Sequence, residues 1–433
     1  MSRRRLTVWQ ALTIALLFFG YAGYYLCRSN FSVSLPLIID DLVSRGMTPD
    51  KAKIHLGAIS SFGVLAYAIG KFFLGGAADF LGGRRNFLAG MGGSVLFTLL
   101  FSLGGGMPIF TLAWVGNRLV QSTGWAGAVK ITSRWFSYSS YGAAMAAVSL
   151  SYLFGDAAAR QFMGVMLSHG LGWRAVFQVA AGTLFGIFVL NVLLLKESRA
   201  QIGLEEPEVN PLNLFGKEGD EPAPTGLKNL LGPLLRSQAF LVVCFLSLGC
   251  TLVRETFNTW TPTYFHQVVG YTEAQAAKMS ALFPLFGGLS VLLSGFVSDR
   301  LGRGGRAAII FYGLLLSSVA LFALGSLPVG ASRSLPVYLV GLIGFLLIGP
   351  YSYLAGAIAL DFGGKHGSAT SSGIIDGVGY LGGLLAGDSI ARISVLFGWK
   401  GAFLALSGIS VLSTAAAAVY LIGQRRTPAA RPA

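Results

Sequence analysis

Two arginines stand where the surrounding sequence leaves little room for charge. Arg28 interrupts the apolar run 8–39, and Arg254 interrupts the run 238–266. A charged side chain near the centre of a bilayer costs several kcal/mol unless it meets a counter-charge or a water-filled cavity. Guanidinium remains charged at any physiological pH, and its forked donors match the oxygens of a phosphoryl group. Two such groups, one in each half of the chain, suit a single multivalent oxyanion. The alternative is that each arginine braces its own helix bundle.

Five more basic residues fall inside apolar stretches: Lys71, Arg118, Lys130, Arg160 and Arg392. The acidic residues there are Asp156, Glu255, Asp376 and Asp388. Asp156 and Arg160 are four apart, as are Asp388 and Arg392, which puts each pair on one helix face. Such self-neutralising pairs brace a bundle or a gate, although direct substrate contact stays open. Lys130 reaches an interface by snorkelling. Glu255 follows Arg254 directly and is expected to face elsewhere, toward a neighbouring helix or a coupling proton. Asp376 is expected to reach a cation across a cavity.

The remaining candidates are Arg28, Arg254 and Lys71. Tyr21 and Tyr24 precede Arg28 on its own face, with Tyr25 flanking. Tyr67 lies four residues before Lys71. These phenols can donate to phosphate, or they can serve as aromatic packing.

Membrane-spanning helices must hold these residues. The chain has 433 residues, is 54% hydrophobic and only 12% charged, and contains 59 glycines. Soluble domains are about a quarter charged. Twelve stretches approach the roughly 20 apolar residues that a span requires: 8–39, 54–81, 86–104, 107–130, 141–168, 173–196, 238–266, 272–297, 306–329, 335–360, 368–394 and 399–423. The opening MSRRRLTVWQ leads into a run too long for a signal peptide and reads as a retained first helix. A Pro-, Gly- and acid-rich linker, 197–237, separates residues 1–196 from 238–433.

The net charge of +14 would favour nucleic acid in a soluble chain. Here Lys and Arg concentrate in alternate loops and the termini, as cytoplasmic segments do. Both termini are therefore expected in the cytoplasm, with the lipid bilayer and not nucleic acid as partner. Cys27, Cys244 and Cys250 all lie in apolar segments and follow neither a disulfide nor a metal-ligand pattern. The four histidines, His55, His169, His266 and His366, fall at or near helix ends and read as solvated.

The halves repeat. An offset of 226 residues relates Arg28 to Arg254, Pro36 to Pro262, and GWRAVF at 172–177 to GWKGAF at 398–403. GGAADFLGGRR at 75–85 and GFVSDRLGRGGR at 295–306 both fit G-x-x-x-D-x-x-G followed by basic residues. This duplicated loop resembles that of the major facilitator superfamily, with Phe80 departing from the usual basic residue. The resemblance implies an all-α membrane protein: twelve transmembrane helices in two pseudo-symmetric six-helix bundles, with alternating access. It implies gating roles for Asp79, Arg84, Arg85, Asp299, Arg300 and Arg303.

A closer resemblance covers residues 20 to about 400. GYAGYYLCRSNFS at 20–32 is similar to the helix-one motif of the organophosphate:phosphate antiporters, and AYAIGKFFLGG at 66–76 to their helix two. QSTGW at 121–125, LVRETFNTWTPTYF at 252–265, GVGYLGG at 377–383 and ESRAQIGLEEPE at 197–208 continue the match. The resemblance implies that Arg28 and Arg254 bind the phosphoryl group. Lys71 would assist, and Tyr21, Tyr24, Tyr25, Tyr67, Trp125 and Tyr380 would line the site. Three residues depart from the pattern: Ser29 replaces a lysine, Leu153 stands where glycerol-3-phosphate members carry histidine, and Glu255 replaces an aromatic. RLVQSTGWA at 118–126 resembles a motif of proton-coupled members and brings Arg118 into consideration.

The implied function is exchange of a small phosphorylated metabolite, such as glycerol-3-phosphate, hexose-6-phosphate or phosphoglycerate, for inorganic phosphate. No covalent chemistry, enzyme activity or cofactor is expected, and the chain reads as a monomer in a bacterial inner membrane. Two alternatives stay open: a proton-coupled exporter using Arg118, Glu255 and Asp376, and a phosphate-ester sensor without flux.

Overall fold

The computed structural model describes residues 2–74, 82–205, 207, 227–301, 304–328 and 332–426. Asp79 and Arg303 lie outside the described residues, as does the side chain of Asp299. Among those described, the regular structure is helical.

The first unit comprises residues 1–213 together with Thr259–Ala281. Its helices are α1 (Ser2–Ser44), α2 (Pro49–Phe73), α3 (Gly83–Leu103), α4 (Met107–Gln121), α5 (Thr123–Trp135), α6 (Tyr138–Ser168) and α7 (Trp173–Leu194). Thr48 starts α2: its side chain accepts from the Lys51 amide, Pro49 follows at a position needing no amide donor, and Asp50 favours the positive helix end. Stacked aromatic rings fill the core. Phe31 lies 4.4 Å from Trp114, and Phe101 lies 4.7 Å from both Phe110 and Phe177.

The expected span 107–130 is divided between α4 and α5. Gln121, Ser122 and Thr123 meet at the break. The hydroxyls of Ser122 and Thr123 turn back to the carbonyls of Leu119 and Val120, a bonding mode that bends helices. Gln121 donates to the Cys27 carbonyl at 3.3 Å and so holds the bend against α1.

The second unit comprises residues 214–258 and 282–433. It holds α8 (Leu227–Arg236), most of α9 (Gln238–Tyr264), α11 (Leu282–Leu301), α12 (Gly305–Gly325), α13 (Ser334–Tyr353), α14 (Ala359–Leu396) and α15 (Gly398–Arg426). The intervening α10 (Glu273–Ser280) and the end of α9 belong to the first unit. Phe257 stacks with both Phe283 and Phe403 in the second unit's core. Ser318 joins α12 to α15 through the hydroxyls of Ser410 and Thr414, since small polar residues let helices approach closely.

Ten of the described helical stretches are long and apolar enough to cross a membrane. Expected spans 107–130 and 141–168 are not among the ten; the second is helical as α6. Phe185, Leu193, Val319 and Phe322 present exposed apolar surface, as lipid-facing residues do. The chain is a multi-pass membrane protein.

Candidate functional site

In the first unit, three cations from three helices gather around one phenol. Arg28 Cζ lies 4.6 Å from the Tyr67 ring centroid, Arg118 Cζ 4.8 Å and Lys71 Nζ 5.5 Å. Tyr67 itself is buried. A phenol ring face carries the negative lobe of its quadrupole and can hold cations without neutralising them. Tyr67 therefore gathers three charges whose mutual repulsion in a low-dielectric interior favours an anion. Arg28 also donates from Nη1 to Tyr25 Oη at 3.2 Å and lies over the Tyr25 ring at 5.2 Å.

Sequence reasoning treated Arg118 as a coupling residue. The structure places it, buried, against the same ring as Arg28 and Lys71. Its motif was legible, but its proximity to Tyr67 depends on how α4 packs against α2. Gly63 permits that approach, since a methyl there would collide with Trp114 and press on Arg118.

Tyr21 and Trp125 pack together, with ring centroids 5.3 Å apart. Tyr24 has a structural partner: its hydroxyl donates to the Phe87 carbonyl at 2.6 Å. An added methyl at Gly90 would strike that hydroxyl.

Ser29 joins the buried pair on α6. Its hydroxyl donates to Asp156, which accepts from Arg160 Nε at 2.9 Å, and Arg160 Nη1 donates to Ser280 at 3.1 Å. The chain Ser29–Asp156–Arg160–Ser280 links α1, α6 and α10. The expected pairing on one helix face is present. Asp388 and Arg392 likewise pair at 2.7 Å on α14, where Arg392 is 58% exposed.

The second unit holds Arg254. Its Nη2 donates to Glu255 Oε1 at 2.8 Å, and its Cζ lies 4.5 Å from the Tyr351 ring centroid. Glu255 was expected to face away from Arg254. Consecutive helix positions diverge at Cβ, but these two side chains are long enough to curl back and meet. Asp376 and Tyr380 lie close enough to act on Arg254 electrostatically. Tyr351 and this local use of Asp376 were not anticipated.

Arg84 makes fixed contacts. Its Nε and Nη2 donate to the carbonyls of Leu195 and Val192, at 2.7 and 2.6 Å. Glu197 in turn accepts from the amides of Gly83 and Arg84 at 2.8 and 2.6 Å. The two residues thus cap the end of α7 and the start of α3, a carboxylate at the positive end and a cation at the negative one. Glu197 was missed because this cap joins distant segments. Arg85 is exposed; Arg300 is exposed and lies over the Phe296 ring at 4.1 Å.

The chain matches the family model for the Major Facilitator Superfamily over residues 17–387. A probable hexose phosphate transport protein of Chlamydia muridarum is 25% identical over 429 residues, covering 95% of this chain and 91% of the relative. The glycerol-3-phosphate transporter of Bacillus subtilis is 26% identical over 406 residues, covering 92% and 89%. A crystal structure of a bacterial homologue of the human lysosomal transporter Spinster, inward-facing and unoccupied, superposes with a TM-score of 0.74 at 15% identity. It covers 98% of this chain and 99% of that one. That likeness concerns the fold.

Proposed function

Because the chain belongs to the major facilitator superfamily, we propose that it exchanges a small phosphorylated metabolite for inorganic phosphate. Convergence of Arg28, Arg118 and Lys71 on Tyr67 carries this reading. A dianion placed before Arg28 relieves the repulsion among the three cations. The planar, forked guanidinium of Arg28 matches the oxygens of such a dianion. Arg254 is the second proposed phosphate ligand, through the internal repeat. Tyr21, Tyr25, Trp125 and Tyr380 are proposed to line the organic part.

The relatives named for hexose phosphate and glycerol-3-phosphate support the substrate class. Leu153 in place of the glycerol-3-phosphate histidine directs the search toward other esters. The proposal includes twelve spans, rocker-switch alternating access, cytoplasmic termini, a monomer in a bacterial inner membrane, and no enzymatic step.

The test is counterflow. Proteoliposomes loaded with inorganic phosphate should take up radiolabelled phosphate, and one member of a panel of phosphate esters should compete. Binding of an ester without flux would identify a sensor. A second reading, proton coupling, draws support from Glu255, a carboxylate held against Arg254. Uptake driven by a pH gradient, with no phosphate inside, would favour it.

A further inference from the structure

We propose that Asp40, His266 and Glu273 form a binding site for one divalent transition-metal cation. It lies in the first unit, at the end of α1 away from its N-terminus. The proposal is independent of what the chain transports.

Three pieces of chain meet there. Asp40 lies in the last two turns of α1, His266 in the π-helical turn Phe265–Val269, and Glu273 in the first turn of α10. One potential ligand atom from each lies within 4.8 Å of the other two. The imidazole is oriented. His266 Nδ1 stands 2.9 Å from the Tyr271 carbonyl, which can only accept, so Nδ1 carries the proton. In the neutral ring the Nε2 lone pair is then free for a ligand. A ligating histidine typically anchors its other nitrogen in this way.

The spacing also fits. His266 Nε2 and Glu273 Oε1 are 3.9 Å apart, too far for a hydrogen bond. Two donors bound to a shared ion at about 2.0–2.2 Å stand roughly 3–3.6 Å apart, so small side-chain rotations would close the gap. His266 and Glu273 are 29% and 32% exposed, which leaves access for an ion and waters.

The surroundings fix the pieces. Thr272 and Gln275 form a reciprocal cap that sets the start of α10, and Gly270 takes a left-handed conformation with φ of 75°. The neighbouring Asp41 is committed to Arg45 and Arg174, at 2.9 and 3.3 Å. Among the described residues, neither Asp40 nor Glu273 pairs with Lys or Arg. Two carboxylates this close repel, and a cation between them removes the repulsion. One imidazole nitrogen with two carboxylate oxygens suits zinc, manganese or iron(II). Positions 40, 266 and 273 share no metal-ligand spacing, and folding alone unites them.

The test is titration of the full-length protein in nanodiscs with zinc, followed by calorimetry. One ion per chain is expected. His266→Gln and Glu273→Gln should each weaken binding at least tenfold, while His266→Cys should retain zinc but not manganese. Thermal unfolding of each variant without metal checks that it is folded. Absence of a stoichiometric site in the wild type, or unchanged affinity in both folded Gln variants, would overturn the proposal. Because binding is read without any transport assay, its failure is separate from failure of the exchange reading.

Discussion

Glu255 Oε1 lies 2.8 Å from Nη2 of Arg254, so the proposed phosphate ligand of the second unit already holds an anion of its own. Any incoming phosphate must compete with that carboxylate. Glu255→Gln keeps the size of the side chain and removes its charge. Phosphate should then bind about tenfold more tightly, the size of one pKa unit of differential interaction. Calorimetry with inorganic phosphate checks this; unchanged or weaker binding would remove Glu255 as a competitor.

Arg28→Lys preserves charge but loses the planar fork. If paired donors hold the phosphoryl group, phosphate counterflow should fall roughly a hundredfold, equal to about 2.7 kcal/mol. The same loss is expected for Arg254→Lys. Full activity in both variants would be incompatible with the proposed ligands.

Tyr67 offers a contrast between ring and hydroxyl. Tyr67→Phe keeps the face on which Arg28, Arg118 and Lys71 converge, and should retain most phosphate affinity. Tyr67→Leu removes that face and with it contacts worth about 0.5–2 kcal/mol each. Affinity should drop at least tenfold. Equal behaviour of the two variants would show that the ring does not organise the cluster.

Asp156 and Arg160 are 8% and 2% exposed, so neither can fall back on solvent. Asp156→Asn leaves the guanidinium buried without its counter-charge, at a cost of about 3–5 kcal/mol. Replacing both residues with apolar ones should cost less than the single change. Thermal unfolding in detergent of the single and double variants measures the difference.

Much of the architecture was legible in the sequence. Apolar length sets the membrane class, and the 226-residue repeat marks a duplicated chain. The four-residue spacing of Asp156 and Arg160, and of Asp388 and Arg392, foretold pairs that form on their helices. Arg28 and Lys71 were recognisable as site candidates because charge in an apolar stretch is costly and therefore conspicuous, and Tyr67 because it lies four residues before Lys71.

What the sequence determined by itself is local: helix periodicity, charge placement and resemblance all act over a few turns or a repeat. The tertiary structure decided which distant side chains meet. It drew Arg118 to the ring shared by Arg28 and Lys71, curled Glu255 onto Arg254, and spent the Tyr24 hydroxyl on the Phe87 carbonyl. It turned Arg84 and Glu197 into helix caps and brought Asp40 beside His266 and Glu273. These outcomes depend on helix packing and rotamer reach, which arise when the chain closes on itself and which no single segment encodes.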